Sequence, residues 1–183
     1  YAGTSGTQTA GILMGGGPGA STTTAKWDGS TWSSNPAMAT SRAVGPMGPI
    51  GTSTAGLIAG GDPATAATEE FNSSTNLITV AAWAAGGNMP ESLSGNSGAG
   101  TLTAGLSMGG FTGTAYPGKA YEYDGTAWTA GNAEPSLKQA GAGCGTQTAA
   151  LFYGGGPGGP PGESATYEYD GTNWTAGGAL PNG

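Results

Sequence analysis

The sequence predicts an all-β fold built from four tandem repeats, and three observations support that prediction. A Gly-Thr step recurs at separations of 45, 49 and 45 residues, with a glycine pair nine residues after every step. Each copy then carries an aromatic residue, an Asp or Asn at a turn, and a tryptophan, which is the pattern of a β-hairpin. Apolar residues nowhere recur at helical spacing. A fixed period of this length is typical of repeat architectures.

Glycines mark the fixed points of each repeat. The Gly-Thr steps begin at Gly6, Gly51, Gly100 and Gly145. The glycine pairs are Gly15 and Gly16, Gly60 and Gly61, Gly109 and Gly110, and Gly154 and Gly155. Between step and pair lies a short apolar run, such as Ala149 to Tyr153, which is long enough for one buried strand and too short for a helix. The pairs lack the Lys-Ser/Thr and the following helix of a phosphate loop, so we predict that they are structural.

The clearest hairpin runs from Tyr167 to Trp174, where rings and an acid alternate before an Asp-Gly turn. Alternation places Tyr167 and Tyr169 on one face of a strand, and Gly171 suits the positive φ of a primed turn. The residues predicted to form the four turns are Asp28, Asn72, Asp124 and Asp170. Each offers one hard oxygen donor, against the roughly six that calcium needs, so we predict no metal site.

The second copy differs from the others in the length of its hairpin. Its tryptophan is Trp83, twelve residues after Phe71 instead of five, and Pro90 then follows at the spacing seen in two other copies. We predict that residues 77–85 form a strand, because Ile78 and its β-branched neighbours favour extended structure.

Composition limits the classes of function. The 39 Gly and 12 Pro among 183 residues would be typical of a disordered chain if they had no period. The net charge of −7, with only 4 basic residues, argues against nucleic acid and anionic membranes as partners. No apolar run approaches the roughly 18 residues of a membrane span. Because the chain begins at Tyr1, we expect it to be processed or part of a longer polypeptide.

Candidate catalytic groups are few, and we predict a noncatalytic chain without a cofactor. The absence of His excludes imidazole metal sites and Ser-His or Cys-His nucleophile systems. Glu70, Glu122 and Glu168 occupy equivalent strand positions, and two of them are candidates for a glycosidase carboxylate pair. Lys26 takes that place in the first copy, which favours a solvent-facing position instead. We expect the lone Cys144 to be a small packed thiol.

The aromatic side chains are the remaining candidates for ligand binding. The tryptophans are Trp27, Trp32, Trp83, Trp128 and Trp174. Their regular place in each copy predicts a core between repeats, while a subset remains available to stack on sugar rings.

A strand ending in Gly-Gly, a variable loop, an aromatic-Asp turn and a tryptophan resemble the kelch repeat, one four-stranded blade of a β-propeller. This resemblance implies a single domain, 1–183, of four repeats of about 46 residues, as a small closed propeller or a fragment of a larger one. The implied blades are approximately 1–44, 45–93, 94–138 and 139–183. In the fourth blade it implies strands at 140–143, 149–153, 165–169 and 174–176. The arginine that follows the tryptophan in kelch repeats has Arg42 as its only candidate, with Lys138 in the equivalent place.

A narrower resemblance concerns function. The repeated sequence at 142–150 and 167–178 is similar to kelch-like arrays of tailed bacteriophages of aquatic bacteria. It implies a structural protein of the virion surface, such as a tail fibre, spike or capsid decoration, that mediates display and host attachment. Its expected partners are other virion proteins, copies of itself or a host-surface glycan. Two alternatives stay open: a secreted carbohydrate-binding propeller, acting as lectin or glycan-active enzyme, and a subunit of an extracellular filament.

Overall fold

The computed structural model describes residues 2–17, 19–43, 50–73, 82–135, 138–156 and 163–181. Within these ranges every regular element is a β-strand, which confirms the predicted all-β class. The strands form four antiparallel four-stranded sheets, arranged as the blades of a four-bladed β-propeller. None of the described residues belongs to a helix that is long and apolar enough to cross a membrane.

The strands of each sheet are contiguous in the sequence, and their order in the sheet follows the chain. The first sheet contains β1 (Gly3–Thr7), β2 (Ala10–Met14), β3 (Thr24–Trp27) and β4 (Trp32–Asn35). The second contains β5 (Ile50–Gly51), β6 (Ala55–Ala59), β7 (Thr68–Asn72) and β8 (Ala82–Ala85). The third contains β9 (Ser97–Thr101), β10 (Ala104–Met108), β11 (Lys119–Tyr123) and β12 (Trp128–Ala133). The fourth contains β13 (Gln139–Thr146), β14 (Ala149–Gly156), β15 (Thr166–Tyr169) and β16 (Trp174–Ala176).

All four strands expected in the fourth sheet form, and two of them are longer than the sequence indicated. β16 has the expected bounds, and β15 begins one residue later than expected. β13 continues to Thr146 and β14 to Gly156, because the two pair along their whole length around a turn at Gln147 and Thr148.

The Gly-Thr steps close the first hairpin of every sheet. Gly145 adopts a φ of 107°, and a Cβ there would lie 2.2 Å from the carbonyl oxygen of Ala149. The steps in the other three sheets have the same 2.2 Å distance to their own partners. Only glycine fits such a place, which explains why the step recurs at fixed spacing.

The Asp-Gly hairpin of the fourth sheet has a longer loop than the two residues typical of a primed turn. Tyr169 pairs with Trp174, so residues 170–173 form the loop. Gly171 has a φ of 93°, the positive value expected for it.

The second sheet bears out the alignment of Trp83 and corrects the expectation for Asn72. Phe71 pairs with Trp83, as the equivalent rings pair in the other sheets. Of the predicted strand 77–85, β8 covers the end, and residues 77–81 lie outside the described ranges. Asn72 is the last residue of β7 and not part of the turn, because the longer connection begins after it.

Each sheet presents a different row of side chains on each face, and each row crosses all four strands. One face carries what we call the aliphatic row. In chain order these rows are Ser5, Ile12, Lys26, Ser33; Ile50, Leu57, Glu70, Ala84; Ala99, Leu106, Glu122, Thr129; and Cys144, Leu151, Glu168, Thr175. The other face carries the aromatic row. These rows are Gly6, Gly11, Trp27, Trp32; Gly51, Gly56, Phe71, Trp83; Gly100, Gly105, Tyr123, Trp128; and Gly145, Ala150, Tyr169, Trp174.

Consecutive sheets meet with the aliphatic row of one against the aromatic row of the next, and we call each such interface a seam. The first seam buries Ile12, Met14, Met38, Ile58 and Phe71. The second buries Ile50, Leu57, Met89, Leu93, Tyr121, Tyr123 and Trp128. The third buries Ala99, Leu106, Met108, Ala120, Ala150, Phe152 and Tyr169. Among the described residues no hydrophobic cluster joins the fourth sheet to the first, so the aromatic row of the first sheet and the aliphatic row of the fourth have no seam.

Candidate functional site

Three of the four aromatic rows are buried in seams. Their ring pairs are Phe71 and Trp83, Tyr123 and Trp128, and Tyr169 and Trp174, with centroids 5.3, 4.9 and 4.8 Å apart. Trp128 is only 7% exposed, and its Nε1 donates to Oγ1 of Thr68 at 3.0 Å. Nε1 of Trp83 donates to the carbonyl oxygen of Pro36, also at 3.0 Å. Trp83, Trp128 and Trp174 therefore stabilise the contacts between sheets.

The aromatic row of the first sheet is uncovered. The rings of Trp27 and Trp32 lie 5.5 Å apart, and Trp32 is 54% exposed. Nε1 of Trp27 donates to the carbonyl oxygen of Gln8 at 2.8 Å, which fixes this ring. The row lines a surface pocket of about 290 Å³, bordered by the hydroxyl-bearing residues Thr4 and Thr7. This is an aromatic platform open to a ligand or to another surface.

The aliphatic row of the fourth sheet is uncovered as well. Its members Cys144, Leu151, Glu168 and Thr175 all line a pocket of about 520 Å³. Leu151 is half-buried, whereas its equivalent Leu106 is fully buried in the third seam. The expectation that Cys144 is packed was wrong, because its side chain is exposed on this free face.

Tyrosine hydroxyls link the sheets across two seams. Tyr123 donates to Oε1 of Glu70 on the preceding sheet, and Tyr169 donates to Oε1 of Glu122 in the same way. Burial, followed by the bond to the carboxylate, raises the pKa of Tyr123 to about 12 and raises that of Tyr169 as well. Glu70 and Glu122, for which a solvent-facing position was expected, are half-buried and bond across a seam. Glu168, in the uncovered row, is exposed.

This seam bond predicts a measurable loss for Tyr169→Phe. The variant keeps the ring but leaves the Glu122 carboxylate without its donor. We expect the free energy of unfolding to fall by about 1–3 kcal/mol, the range for hydrogen bonds to charged groups. Urea unfolding of Tyr169→Phe and of a matched control, Tyr116→Phe, measures this, since the Tyr116 hydroxyl bonds to none of the described residues. Equal effects of the two substitutions would remove any role for the bond.

A buried arginine crosses the first seam. Arg42, ten residues after Trp32, is fully buried. One guanidinium nitrogen donates to the carbonyl oxygens of Gly60 at 2.8 Å and Ala67 at 3.0 Å, and another donates to Oε1 of Glu69 at 2.6 Å. Burial lowers the pKa of Arg42, and the Glu69 carboxylate opposes that change. The pair ties the segment after β4 to the second sheet.

Lys138 has the same position in the third seam, ten residues after Trp128. Its Nζ donates to the carbonyl oxygen of Gly154 at 3.3 Å and lies 3.2 Å from Oε2 of Glu163. It also lies 4.9 Å from the ring centroid of Tyr167, which occupies the place of Glu69. One cation therefore bonds the first glycine of a pair in each of these two seams.

In the second seam an apolar side chain fills this position. Leu93, ten residues after Trp83, is fully buried in one cluster with Tyr121. Arg42 and Lys138 were found through the kelch resemblance, but Leu93 was missed because a lone leucine carries no motif. A long side chain from one repeat thus enters the next sheet in all three seams.

One carboxyl group is buried without a cation in contact. Glu134 is 7% exposed, its Oε1 accepts the N–H of Gly109 at 2.5 Å, and its Oε2 has no partner among the described residues. Burial raises its pKa to about 8, although the Gly109 N–H and the charge of Lys138 oppose the rise. The protonated form is therefore favoured at neutral pH. Met38 and Met89 hold the equivalent places, so no sequence signal singled out Glu134.

The turn aspartates bind their own backbone. Oδ1 of Asp170 accepts the N–H groups of Thr172 at 2.8 Å and Asn173 at 2.6 Å. Asp28 and Asp124 each accept the two equivalent N–H groups of their own turns. These backbone bonds lower the pKa of all three carboxyl groups. No group of three or more His, Cys, Asp or Glu in the described ranges is placed to hold a metal ion.

The glycine pairs lie just after the second strand of the first three sheets. In the fourth sheet the pair lies within the second strand, after the part that pairs with the third strand. Both residues of every pair have positive φ, for example 67° at Gly154 and 72° at Gly155. The N–H of Gly154 donates to the carbonyl oxygen of Ala165 at 3.3 Å, and that of Gly60 to Ala67 at 3.1 Å. These N–H groups bond within the fold.

Comparison with known proteins identifies the fold and no family. No protein-family model matches the sequence, and no curated protein matches it. Among solved structures the chain is similar to one described as "Structure of YjhT", with a TM-score of 0.75 and 12% sequence identity. The match covers 100% of this chain and 66% of the other, so the chain spans about two thirds of the length of that structure. At this identity the likeness concerns the fold alone, and it agrees with the propeller arrangement.

Proposed function

We propose that this chain is a noncatalytic structural protein of a virion surface, such as a tail fibre, spike or capsid decoration, that attaches to the host surface. One observation carries the proposal: most of its acidic side chains, the main catalytic groups left in a chain without His, bond within the scaffold, although Glu168 is exposed. Glu69 bonds Arg42, and Glu70 and Glu122 bond tyrosines across seams. The aspartates of three hairpin turns bond their own backbone. A general base must lie within hydrogen-bond reach of a substrate proton, and these side chains bond to groups of the scaffold instead.

The surface chemistry supports a role outside the cell. Only 8% of the residues are charged, so hydroxyl groups and backbone provide much of the solvation. Exposed threonines, Thr31, Thr126 and Thr172, stand in hairpin turns that the aspartates hold in shape. A loop that is already ordered loses little entropy when it binds a receptor, which suits attachment.

Immunogold electron microscopy of native particles tests the virion assignment. Antibodies raised against the purified chain are expected to label a tail fibre, a spike or the capsid surface of purified virions. Label confined to the particle-free fraction of the same lysate would contradict the proposal.

Competition for host cells tests the attachment role. Excess purified chain is expected to lower virion adsorption, while the heat-unfolded chain serves as a matched control and has no effect. Unchanged adsorption, together with labelled particles, would leave a structural role and remove the attachment role.

The uncovered aromatic row favours a second candidate, a secreted carbohydrate-binding propeller. Trp27 and Trp32 form a ring pair beside hydroxyl groups, an arrangement that suits stacking on a sugar. A glycan array is expected to report a ligand that Trp32→Ala loses and that the buried-ring variant Tyr169→Phe retains. Sugar released when the chain is incubated with the same glycans in solution would point to a glycan-active enzyme.

A further inference from the structure

Four side chains between the second and third sheets have no counterpart in the other repeats. Phe111 and Tyr116 lie in the loop between β10 and β11, and the corresponding loops of the other sheets contain no aromatic residue. Lys119 begins β11 and forms an ion pair with Glu91, which lies between β8 and β9. In the other sheets the equivalents of Lys119 are uncharged, namely Thr23, Ala67 and Ala165. Loops that differ between repeats often form the binding face of a repeat protein.

Contacts bring these four residues to one place. Phe111 pairs with Ser94, three residues after Glu91, through backbone bonds of 2.7 and 2.9 Å. The rings of Phe111 and Tyr116 lie 4.9 Å apart at an angle of 39°. Tyr116 precedes Lys119 by three residues, and Nζ of Lys119 donates to Oε1 of Glu91 at 2.6 Å. The contacts therefore form a closed cycle that includes the ring pair and the ion pair.

The loop that carries the two rings is held in shape by its own hydrogen bonds. The N–H of Thr112 donates to the carbonyl oxygen of Ala115 at 2.9 Å, and the N–H of Ala115 donates to Oγ1 of Thr112 at 3.1 Å. Gly113, between them, has a φ of 97°, and a Cβ there would meet no atom within 4 Å. The tip of the loop therefore extends into open space. A loop that is ordered before binding loses little entropy when a ligand arrives.

The ion pair is accessible, and its two charges balance. The side chains of Lys119 and Glu91 are 45% and 31% exposed. An ammonium group has more donors, and a carboxylate more acceptor sites, than one ion pair uses. Both side chains therefore retain capacity to hydrogen-bond the hydroxyl groups of a ligand. A charged ligand would have to displace one member of the pair, whereas a neutral ligand would not.

We propose that the ring pair and the ion pair together bind a neutral sugar residue of a glycan. The apolar face of a sugar ring stacks on an aromatic side chain, while its hydroxyl groups accept from Lys119 and donate to Glu91. The inference rests on the proposed function, because it assigns the chemistry of the ligand that attachment recognises. It does not involve the uncovered rows of the first and fourth sheets.

Substitution of Tyr116 tests the role of the ring pair. The probe is an array of neutral oligosaccharides of hexoses and N-acetylhexosamines, together with counterparts that contain uronic acids. The original chain is expected to bind a neutral member, and Tyr116→Ala to weaken that binding about tenfold by removing one ring. Tyr116→Phe keeps the ring and is expected to retain the affinity. The matched control is Trp32→Ala, which removes an exposed ring outside this loop and should bind like the original chain.

A double variant tests the ion pair without leaving an unpaired charge. Glu91→Ala with Lys119→Ala is expected to lower the affinity about tenfold, since it removes the groups that bond the sugar hydroxyls. Exposed ion pairs contribute little to stability, so the midpoint of urea unfolding should change little. Circular dichroism checks that every variant is folded. Equal binding by the double variant and the original chain would contradict the role of the ion pair.

Salt dependence tests whether the ligand is neutral. Binding to a neutral glycan is expected to be the same at low and high sodium chloride, because no charge of the ligand is screened. An affinity that falls steeply with salt, or binding confined to the glycans with uronic acids, contradicts the proposal.

The failure of this inference can be distinguished from the failure of the proposed function. An original chain that labels virions and lowers adsorption, yet binds no neutral glycan, overturns the sugar site and leaves attachment. A neutral ligand that Trp32→Ala loses and Tyr116→Ala retains also overturns it. Binding that Tyr116→Ala loses, by a chain that does not label virions, supports the sugar site and removes the virion assignment.

Discussion

Replacement of Arg42 by leucine is expected to lower the free energy of unfolding by about 3–5 kcal/mol, the range for breaking a buried ion pair. The substitution leaves the Glu69 carboxylate, which is 3% exposed, without its cation. It also removes the donor to the carbonyl oxygens of Gly60 and Ala67 in the second sheet. Urea unfolding followed by tryptophan fluorescence measures the loss.

The second seam provides the control for this experiment. There the equivalent residues are Leu93 and Tyr121, which fill the same place without a charged group. The double variant Arg42→Leu with Glu69→Tyr is expected to recover part of the loss, because no buried charge remains unpaired. Recovery is incomplete, since Glu69 also accepts the N–H groups of Ala39 at 2.6 Å and Thr40 at 3.0 Å. A double variant no more stable than Arg42→Leu would show that the unpaired charge is not the cause.

Glu134 is expected to make the chain less stable as pH rises from about 4.5 to 8. Burial raises the pKa of its carboxyl from 4.5 to about 8, so the folded chain retains a proton that the unfolded chain has lost. The stability is fully present below pH 4.5 and is lost as pH passes through 8. Integrated over this window, the loss is on the order of 4 kcal/mol. Thermal or urea unfolding at a series of pH values measures the slope.

Glu134→Gln is the diagnostic variant for this titration. Glutamine keeps an acceptor for the Gly109 N–H but has no proton to lose, so its stability should be nearly flat over the same window. At pH 5 it should match the original chain, and at pH 8.5 it should be clearly more stable. Glu134→Met copies the residue of the first two repeats and should also be flat, but less stable than Glu134→Gln because it leaves that N–H without an acceptor. A slope that persists in both variants would assign the titration to another group.

Local pattern predicted the strands of this chain because strand signals act over short distances. The alternation in Tyr167 to Tyr169 and the Asp-Gly that follows were sufficient for the outer hairpin. The shared spacing of Trp83 and Pro90 identified the second hairpin despite its longer connection. The prediction that Asn72 lies in a turn was wrong, because the longer connection places the turn after this residue. The alignment of the repeats does not show where a longer connection begins.

Residues that act between sheets were harder to predict. Glu70 and Glu168 have equivalent neighbours in sequence, yet one bonds a tyrosine of the next sheet and the other is exposed. Cys144 and Trp32 are more exposed than their equivalents for the same reason, since no other described sheet packs against the row in which either lies. Glu134 looks like any polar residue after a strand, and only its burial makes it titrate abnormally.

By itself the sequence determined the period, the all-β class, the positions of the hairpins and the glycines that their backbones require. Such features depend on φ, on side-chain alternation and on spacing, which each repeat specifies within a few residues. Tertiary structure alone decided which face of each sheet is covered. It therefore also decided which acidic, aromatic and thiol side chains on that face are buried. The physical reason is that these side chains are buried only when another sheet packs against them. Two segments with similar local sequences therefore differ in burial when only one of them has a neighbouring sheet.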